Sequence, residues 1–370
     1  MDAAELESRR FGRRVERFKF TTVDRDAVRA IRDAAPDLAI VRIDAAHVDQ
    51  LHRLAMFGAV PIVADTLVYY GCDLTKADPR PLRNDLRFRR ATPDDRPLLE
   101  ELVGTVFAQY KNHYNANPTL DIADIRAGYN EWGVSFIDGA FESEAWLAYE
   151  GDAIAGFANC DTHGDTYRGV LYGVHPDFAG RGVYGDLIAY TMAHAKRSGL
   201  ARMEVSTQID NLAVQRSWVS QGMTLDEAVN TVHLNLFLSD DFFIEEHRET
   251  VTVDATTVEQ FAALSGDHNP VHFDDEAARA AGFEGRIAHG VILNALISKV
   301  LATSVPGPGC IYLSQTSTFL RPVPVGSDVT VHLLTKHHDP VTNRITVSTR
   351  VHDATGAMVF CGQAVVLGPT

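Results

Sequence analysis

The sequence predicts a multidomain chain of mixed α/β and α+β type. Three observations carry this. The 370 residues, 45% hydrophobic and 22% charged, suit a globular chain of two or three domains. Helix-like and strand-like patterns alternate through the first 240 residues, as α/β architecture requires. The last third reads as one long apolar helix followed by strands of antiparallel pattern, which is what a helix wrapped by a curved sheet needs. A proline- and turn-rich stretch, DLTKADPRPLRNDLRF (73–88), and an acidic one, LSDDFFIEEHRET (238–250), divide the periodic blocks. Boundaries are therefore expected to give segments 1–84, 85–244 and 245–370.

In the first segment LAIVRI and DTLVYYGCDL read as strands, and VDQLHRLAMFG as a helix ending at Gly58. No dense cluster of reactive side chains lies here, so a packing or dimerisation subdomain is the expectation. In the second, RPLLEELVGTVFAQY is helical, and AWLAYEG, AIAGFANC and GVLYGVHP are strands. A helix, YGDLIAYTMAHAKRSG, stops at Gly199 before the strand ARMEVSTQ. The third opens with the strand RETVTVDA and the helix TVEQFAALSG. After a polar turn come the apolar helix GVILNALISKVLAT and the strands IYLSQTSTFL, DVTVHLLTKHHD, RITVSTRVHDATG and MVFCGQAVVLG.

The formal net charge of −15 argues against a nucleic-acid partner. A phosphate-bearing cofactor remains compatible, provided backbone amides or a local basic cluster hold it. The N-terminus, MDAAELESRRFGRRVERF, has no signal-peptide core, and no apolar run approaches membrane-spanning length. Cys72, Cys160, Cys310 and Cys361 form no CxxC pair, which fits a reducing cytoplasm.

The densest chemistry lies in SGDHNPVHFDDEAARAAGFEGRIAHGVILNALIS (265–298). Asp267 and His272 flank Asn269-Pro270, a turn that can bring their side chains together. His289-Gly290 leads into the apolar helix, whose first N–H groups, Gly290's the least obstructed, are ready for an oxyanion. Adding water across an α,β-unsaturated thioester needs this kit: a group to activate water, a proton for the α carbon, and donors for the enolate oxygen. No ligand set completes in register, so no metal is expected. Residues 250–370 resemble the MaoC-like, (R)-specific enoyl-CoA hydratases, through FAALSGDHNPVH, Asp274, the GFxxxIAHG stretch and FLRPVPVGSDV. The resemblance implies a hot-dog fold working as a homodimer. It also implies Asp267 and His272 as the catalytic pair, Gly290 as oxyanion donor, and Asn269 and Ser298 as supporting polar groups.

A second motif, VHPDFAGRGVYGDL (174–187), follows a strand and opens a helix. Its glycines let successive backbone amides approach a pyrophosphate at a helix N-terminus. With STQIDNLAVQRSWVSQGM (206–223) it resembles the GNAT acetyltransferase superfamily, specifically the group acylating nucleotide-linked amino sugars, whose N-terminal half-domain residues 1–84 resemble. That resemblance implies coenzyme A held by Val174, Gly180, Arg181, Gly182, Val183, Tyr184, Gly185 and Asn211. YKNHYNANP (110–118) resembles the acceptor loop, which makes Tyr110, His113 and Tyr114 candidates for acceptor binding, though they equally suit buried aromatic packing. Two departures stand out. Trp218 occupies the place of a tyrosine that protonates the leaving thiolate in many members, and Tyr184 displaces the last glycine of the turn.

The two resemblances together imply a bifunctional enzyme with acyl-CoA substrates and an amine acceptor. Hydration of a 2-enoyl-CoA would yield an (R)-3-hydroxyacyl-CoA that the acyltransferase could use. The alternatives are two uncoupled activities, or an active hydratase with a non-catalytic CoA-binding module.

Overall fold

The computed structural model describes residues 3–57, 59–138 and 143–369. It divides into two compact units, one within residues 1–235 and the other comprising 236–370 together with the short pieces 12–14 and 35–37.

The first unit runs α1 (Ala3–Phe11), β1 (Val15–Phe20), α2 (Arg25–Ala34), β2 (Leu38–Asp44), β3 (Ile62–Asp73), β4 (Arg87–Arg90), α3 (Arg96–Val106) and α4 (Ile122–Val134). It continues through β5 (Glu144–Glu150), β6 (Ala153–His163), β7 (Thr166–Val174), α5 (Val183–Arg197), β8 (Arg202–Gln208), α6 (Leu212–Ser220) and β9 (Thr224–Asn235). All nine strands share one sheet in the order β1-β2-β9-β3-β8-β7-β6-β5-β4. The strands of residues 1–84 thus continue the sheet of the following segment, with β9 inserted between β2 and β3.

One pairing shapes the site. β7 and β8 run parallel and pair only over Thr166–Gly169 against Arg202–Val205. Beyond that they part, leaving the end of β7 and the end of β8 on either side of a gap. α5 starts just after β7 and packs Val183, Leu187, Ile188, Met192 and Ala195 into a core with Ala155, Ala158, Tyr167, Met203 and Val205.

The segment expected as a helix over 48–58 is instead a run of 3-10 turns, Ala45–Phe57, interrupted at His47. Its buried residues Leu51 and Leu54 are three apart, the spacing a 3-10 turn places on one edge. The expected stop at Gly58 lies outside the described residues.

The second unit runs β10 (Glu245–Val253), α7 (Ala255–Ser265), α8 (Asp275–Ala280), α9 (Val291–Thr303), β11 (Ile311–Phe319), β12 (Ser327–Asp339), β13 (Arg344–Asp353) and β14 (Met358–Leu367). Its five strands form an antiparallel sheet in the order β10-β12-β13-β14-β11. α9 buries Ile292, Leu293, Ile297, Val300 and Leu301 in one cluster with Val329, Val331, Leu333, Val347, Val351 and Phe360 of the sheet. Each such side chain contributes roughly 1.5–3 kcal/mol by leaving water. A helix held in a curved antiparallel sheet is the hot-dog arrangement, and its core fixes where the N-terminus of α9 points.

Candidate active sites

In the second unit α7 begins on the Asp254 carboxylate, which accepts from the Thr257 N–H at 2.7 Å, and stops at left-handed Gly266. The chain then makes two short polar turns. The Asp267 N–H donates to Ser265 Oγ at 3.2 Å, and the Asn269 N–H donates to Asp267 Oδ1 at 3.1 Å. Pro270–His272 forms a single 3-10 turn that drives the His272 ring inward. Its Nδ1 sits 2.7 Å from the Ile287 carbonyl, so Nδ1–H donates there and Nε2 is left as a free acceptor.

A third group joins this pair. The His289 ring is buried and lies against His272 with ring centroids 3.7 Å apart and planes tilted by 31°, and its Nε2 donates to the Asp267 carbonyl at 2.9 Å. Its Nδ1 is buried and has no partner. Ligand-capable atoms of Asp267, His272 and His289 lie within 4.8 Å of one another, close enough to share one water molecule or a small cation. Half of the Asp267 side chain stays exposed, so the cluster opens outward. Gly290 directly follows His289 and caps α9. A Cβ there would stand 3.0 and 3.1 Å from two atoms of the Phe319 ring, a tight contact that the half-exposed ring would have to yield to. Ser298 lies eight residues along α9, about 12 Å at helical rise, and joins none of the cluster's hydrogen bonds. The sequence marks His289 only as the residue before Gly290 and gives no sign that it joins Asp267 and His272. Contact between rings 17 residues apart has no local signature.

In the first unit the gap between β7 and β8 opens into a cavity of about 840 Å³. Val174, Gly180, Gly182, Val183, Tyr184, Gly185 and Asn211 line it. Gly182 is left-handed, with φ 87°, and leads into α5, so the first amides of that helix face the cavity. Arg181 is not among the lining residues. Its guanidinium pairs with Glu150 at 2.5 Å and lies over the Phe178 ring. The basic groups at the cavity are instead Arg80, Arg83 and Arg216. Arg80 and Arg83 come from the stretch read as a linker. It is fixed in place by the buried Asp186 carboxylate, which accepts from the Arg83 N–H at 2.8 Å, the Asn84 N–H at 3.0 Å and Asn84 Nδ2 at 2.7 Å. A net-acidic chain thus places a local basic cluster beside a helix N-terminus.

Tyr110 lines the cavity; His113 and Tyr114 do not. The His113 ring is buried against His233, Nδ1 to Nε2 at 2.8 Å, and burial holds it well below its usual range. Tyr114 is bound to Glu7 and Arg17. Of the three candidates for acceptor binding, Tyr110 alone is at this cavity, while His113 and Tyr114 meet His233, Glu7 and Arg17. Trp218 is buried in the core, where its indole N–H donates to the Tyr184 hydroxyl at 3.1 Å. The two departures noted in the sequence are therefore one arrangement, a tryptophan holding a tyrosine hydroxyl at the cavity wall.

Residues 244–357 match the family described as MaoC like domain. Over 118 residues the chain is 40% identical to the (R)-specific enoyl-CoA hydratase of Aeromonas caviae, covering 86% of that protein and 31% of this one. The chain belongs to the MaoC-like hydratase family. A hydratase of the same description from Rhodospirillum rubrum is 37% identical over 118 residues, covering 81% of that protein and 32% of this chain. An R-hydratase structure from Pseudomonas aeruginosa is 42% identical, covering 80% of that chain and 34% of this one at a TM-score of 0.33. Residues 99–223 match the Acetyltransferase (GNAT) family. The chain is thus an enzyme joining a GNAT acyltransferase domain to a MaoC-like hydratase domain, and both families act on acyl-CoA thioesters. Among the described residues no helix is long and apolar enough to cross a membrane.

Proposed function

We propose that the MaoC-like domain hydrates a short 2-enoyl-CoA, such as crotonyl-CoA, to the (R)-3-hydroxyacyl-CoA, and that the GNAT domain transfers this acyl group to an amine of a nucleotide-linked amino sugar. The observation that carries the first step is the convergence of Asp267 and His272 beside the Gly290 start of α9. One water shared by the Asp267 carboxylate and His272 Nε2 gives its proton to the pair as its oxygen adds to the β carbon. The Gly290 amide receives the enolate oxygen, and the pair returns one proton to the α carbon. Protonation of the pair is unchanged over the cycle. Asn269 shapes the turn between the two groups, accepting from the Val271 N–H through its side chain.

In the GNAT domain the coenzyme's phosphates meet the α5 amides and the neighbouring arginines, which places the thioester in the gap between β7 and β8. The amine attacks the carbonyl carbon, and the Tyr184 hydroxyl, held by Trp218, protonates the departing thiolate. Segments 1–84, 85–244 and 245–370 divide these tasks. The first supports the acceptor side, and the third supplies the surface for a homodimer in the cytoplasm. The reading is tested by incubating the full chain with crotonyl-CoA and following loss of the enoyl absorbance and the configuration of the product. Formation of (R)-3-hydroxybutyryl-CoA supports it, and the (S) product or no product overturns it.

A further inference from the structure

α9, VILNALISKVLAT, is apolar through its first turn, and its first polar side chain is Asn294, one turn beyond Gly290. Two contacts show that these two positions face the same way, towards β11. A Cβ on Gly290 would meet the Phe319 ring, and Ser317 Oγ donates to Asn294 Oδ1 at 3.0 Å. Ser317 and Phe319 are two residues apart on β11 and so stand on one face of the strand. A helical side chain leans towards the helix N-terminus and covers the turn before its own Cα. Asn294 is therefore carried back towards Gly290, whose Cα lies about 6 Å along the axis.

The amide of Asn294 has one acceptor and two donors. Ser317 takes the acceptor, which turns Nδ2 away from that hydroxyl. Among the described residues Nδ2 has no partner, and the side chain is half-buried, so the donor is open to a ligand. The Ile292 and Leu293 N–H groups are already bound to the carbonyls of His289 and Gly290. The donors left at the start of α9 are thus backbone amides at Gly290 and Val291, with Asn294 Nδ2 beside them. An enolate oxygen is best held by more than one donor, aimed at where its charge develops.

We infer that Asn294 Nδ2 donates to the enolate oxygen alongside the Gly290 amide. The inference rests on the hydratase reading above and adds a catalytic residue to it. As the water oxygen bonds to the β carbon, the π electrons of the enoyl group shift onto the thioester oxygen. Asn294 meets that charge with a hydrogen bond and gives up no proton, so proton exchange stays among water, the Asp267–His272 pair and the α carbon. The thioester oxygen carries little charge before addition, so the contact strengthens on the way to the transition state and acts on kcat.

The test follows crotonyl-CoA hydration by the full chain. Asn294→Asp keeps an acceptor for Ser317 and loses the donor, and Asn294→Ala loses both. Each is expected to lower kcat by about 10²–10³, the range for one oxyanion donor, with KM changed by less than about threefold. Ser317→Ala, which only frees the amide to turn, should fall between wild type and Asn294→Ala. Acetoacetyl-CoA as its enolate and butyryl-CoA, which forms none, are compared as inhibitors of hydration. Asn294→Ala should weaken the first by about tenfold and leave the second near its wild-type value. Hydration by Asn294→Asp within threefold of wild type overturns the role of Asn294 and leaves the hydratase reading standing. Equal weakening of both inhibitors, or lost turnover together with a changed molar mass by light scattering, does the same. A wild type that does not hydrate crotonyl-CoA overturns both.

Discussion

Replacing Tyr184 with Phe removes a single oxygen from the wall of the cavity beside α5 and keeps the ring whose centroid lies 6.0 Å from that of Tyr172. The cost to folding comes from Trp218, whose buried indole N–H loses its acceptor. A buried donor left unpaired costs about 1–3 kcal/mol. At roughly 2–4 °C per kcal/mol for a unit of this size, the melting temperature should fall by several degrees. The cost to chemistry is larger. Burial pushes the Tyr184 hydroxyl up from its ordinary range, so it stays protonated at neutral pH, ready to give its proton to a thiolate. Losing a general acid costs about 10²–10⁴ in rate. The assay is thiol release from butyryl-CoA at saturating amine, read with a chromogenic disulfide. Calorimetric CoA affinity separates binding from chemistry. Trp218→Phe, which leaves the hydroxyl but removes its donor, should fall between wild type and Tyr184→Phe. A Tyr184→Phe enzyme releasing thiol within twofold of wild type, at unchanged CoA affinity, would refute the assignment and return the proton to solvent.

Asp267→Asn and His272→Ala should each lower crotonyl-CoA hydration by about 10²–10⁴, with acyl transfer unchanged; near-native turnover by either variant contradicts the pairing. Gly182→Val forces a β-branched residue into the left-handed region at the start of α5, and calorimetry should show weakened CoA binding. Gly290→Ala sets a methyl against the Phe319 ring at the start of α9, so hydration should drop if the proposed enolate contact is made there, while the melting temperature changes little. Prolonged dialysis against a chelator should leave hydration intact, since the Asp267–His272–His289 cluster is read as a water site.

The hydratase half was legible because its chemistry is local. Asp267, Asn269 and His272 follow a helix, α7, whose two caps, Asp254 and Gly266, obey ordinary rules. The Gly-rich turn before α5 was legible for the same reason. Contacts made across the fold left no pattern to read. Tyr184 and Trp218 meet only because α5 and α6 pack together, and Asn294 meets Ser317 because β11 lies along α9. Arg80 and Arg83 looked like linker because prolines and polar residues mark loops, yet Asp186 turns that loop into a cavity wall. His113 and Tyr114 carry the right chemistry for an acceptor site, and their contacts with His233 and Glu7 follow no local pattern.

The central claim is that the two active sites handle one acyl group in sequence. Crotonyl-CoA and a nucleotide-linked amino-deoxysugar are supplied together to the full chain, and the product is identified by mass. The account predicts a 3-hydroxybutyramide from the wild type and none from Asp267→Asn, which should nevertheless acylate normally when given (R)-3-hydroxybutyryl-CoA. A wild type that prefers acetyl-CoA and forms no hydroxyacyl amide would contradict the account and leave two independent enzymes on one chain.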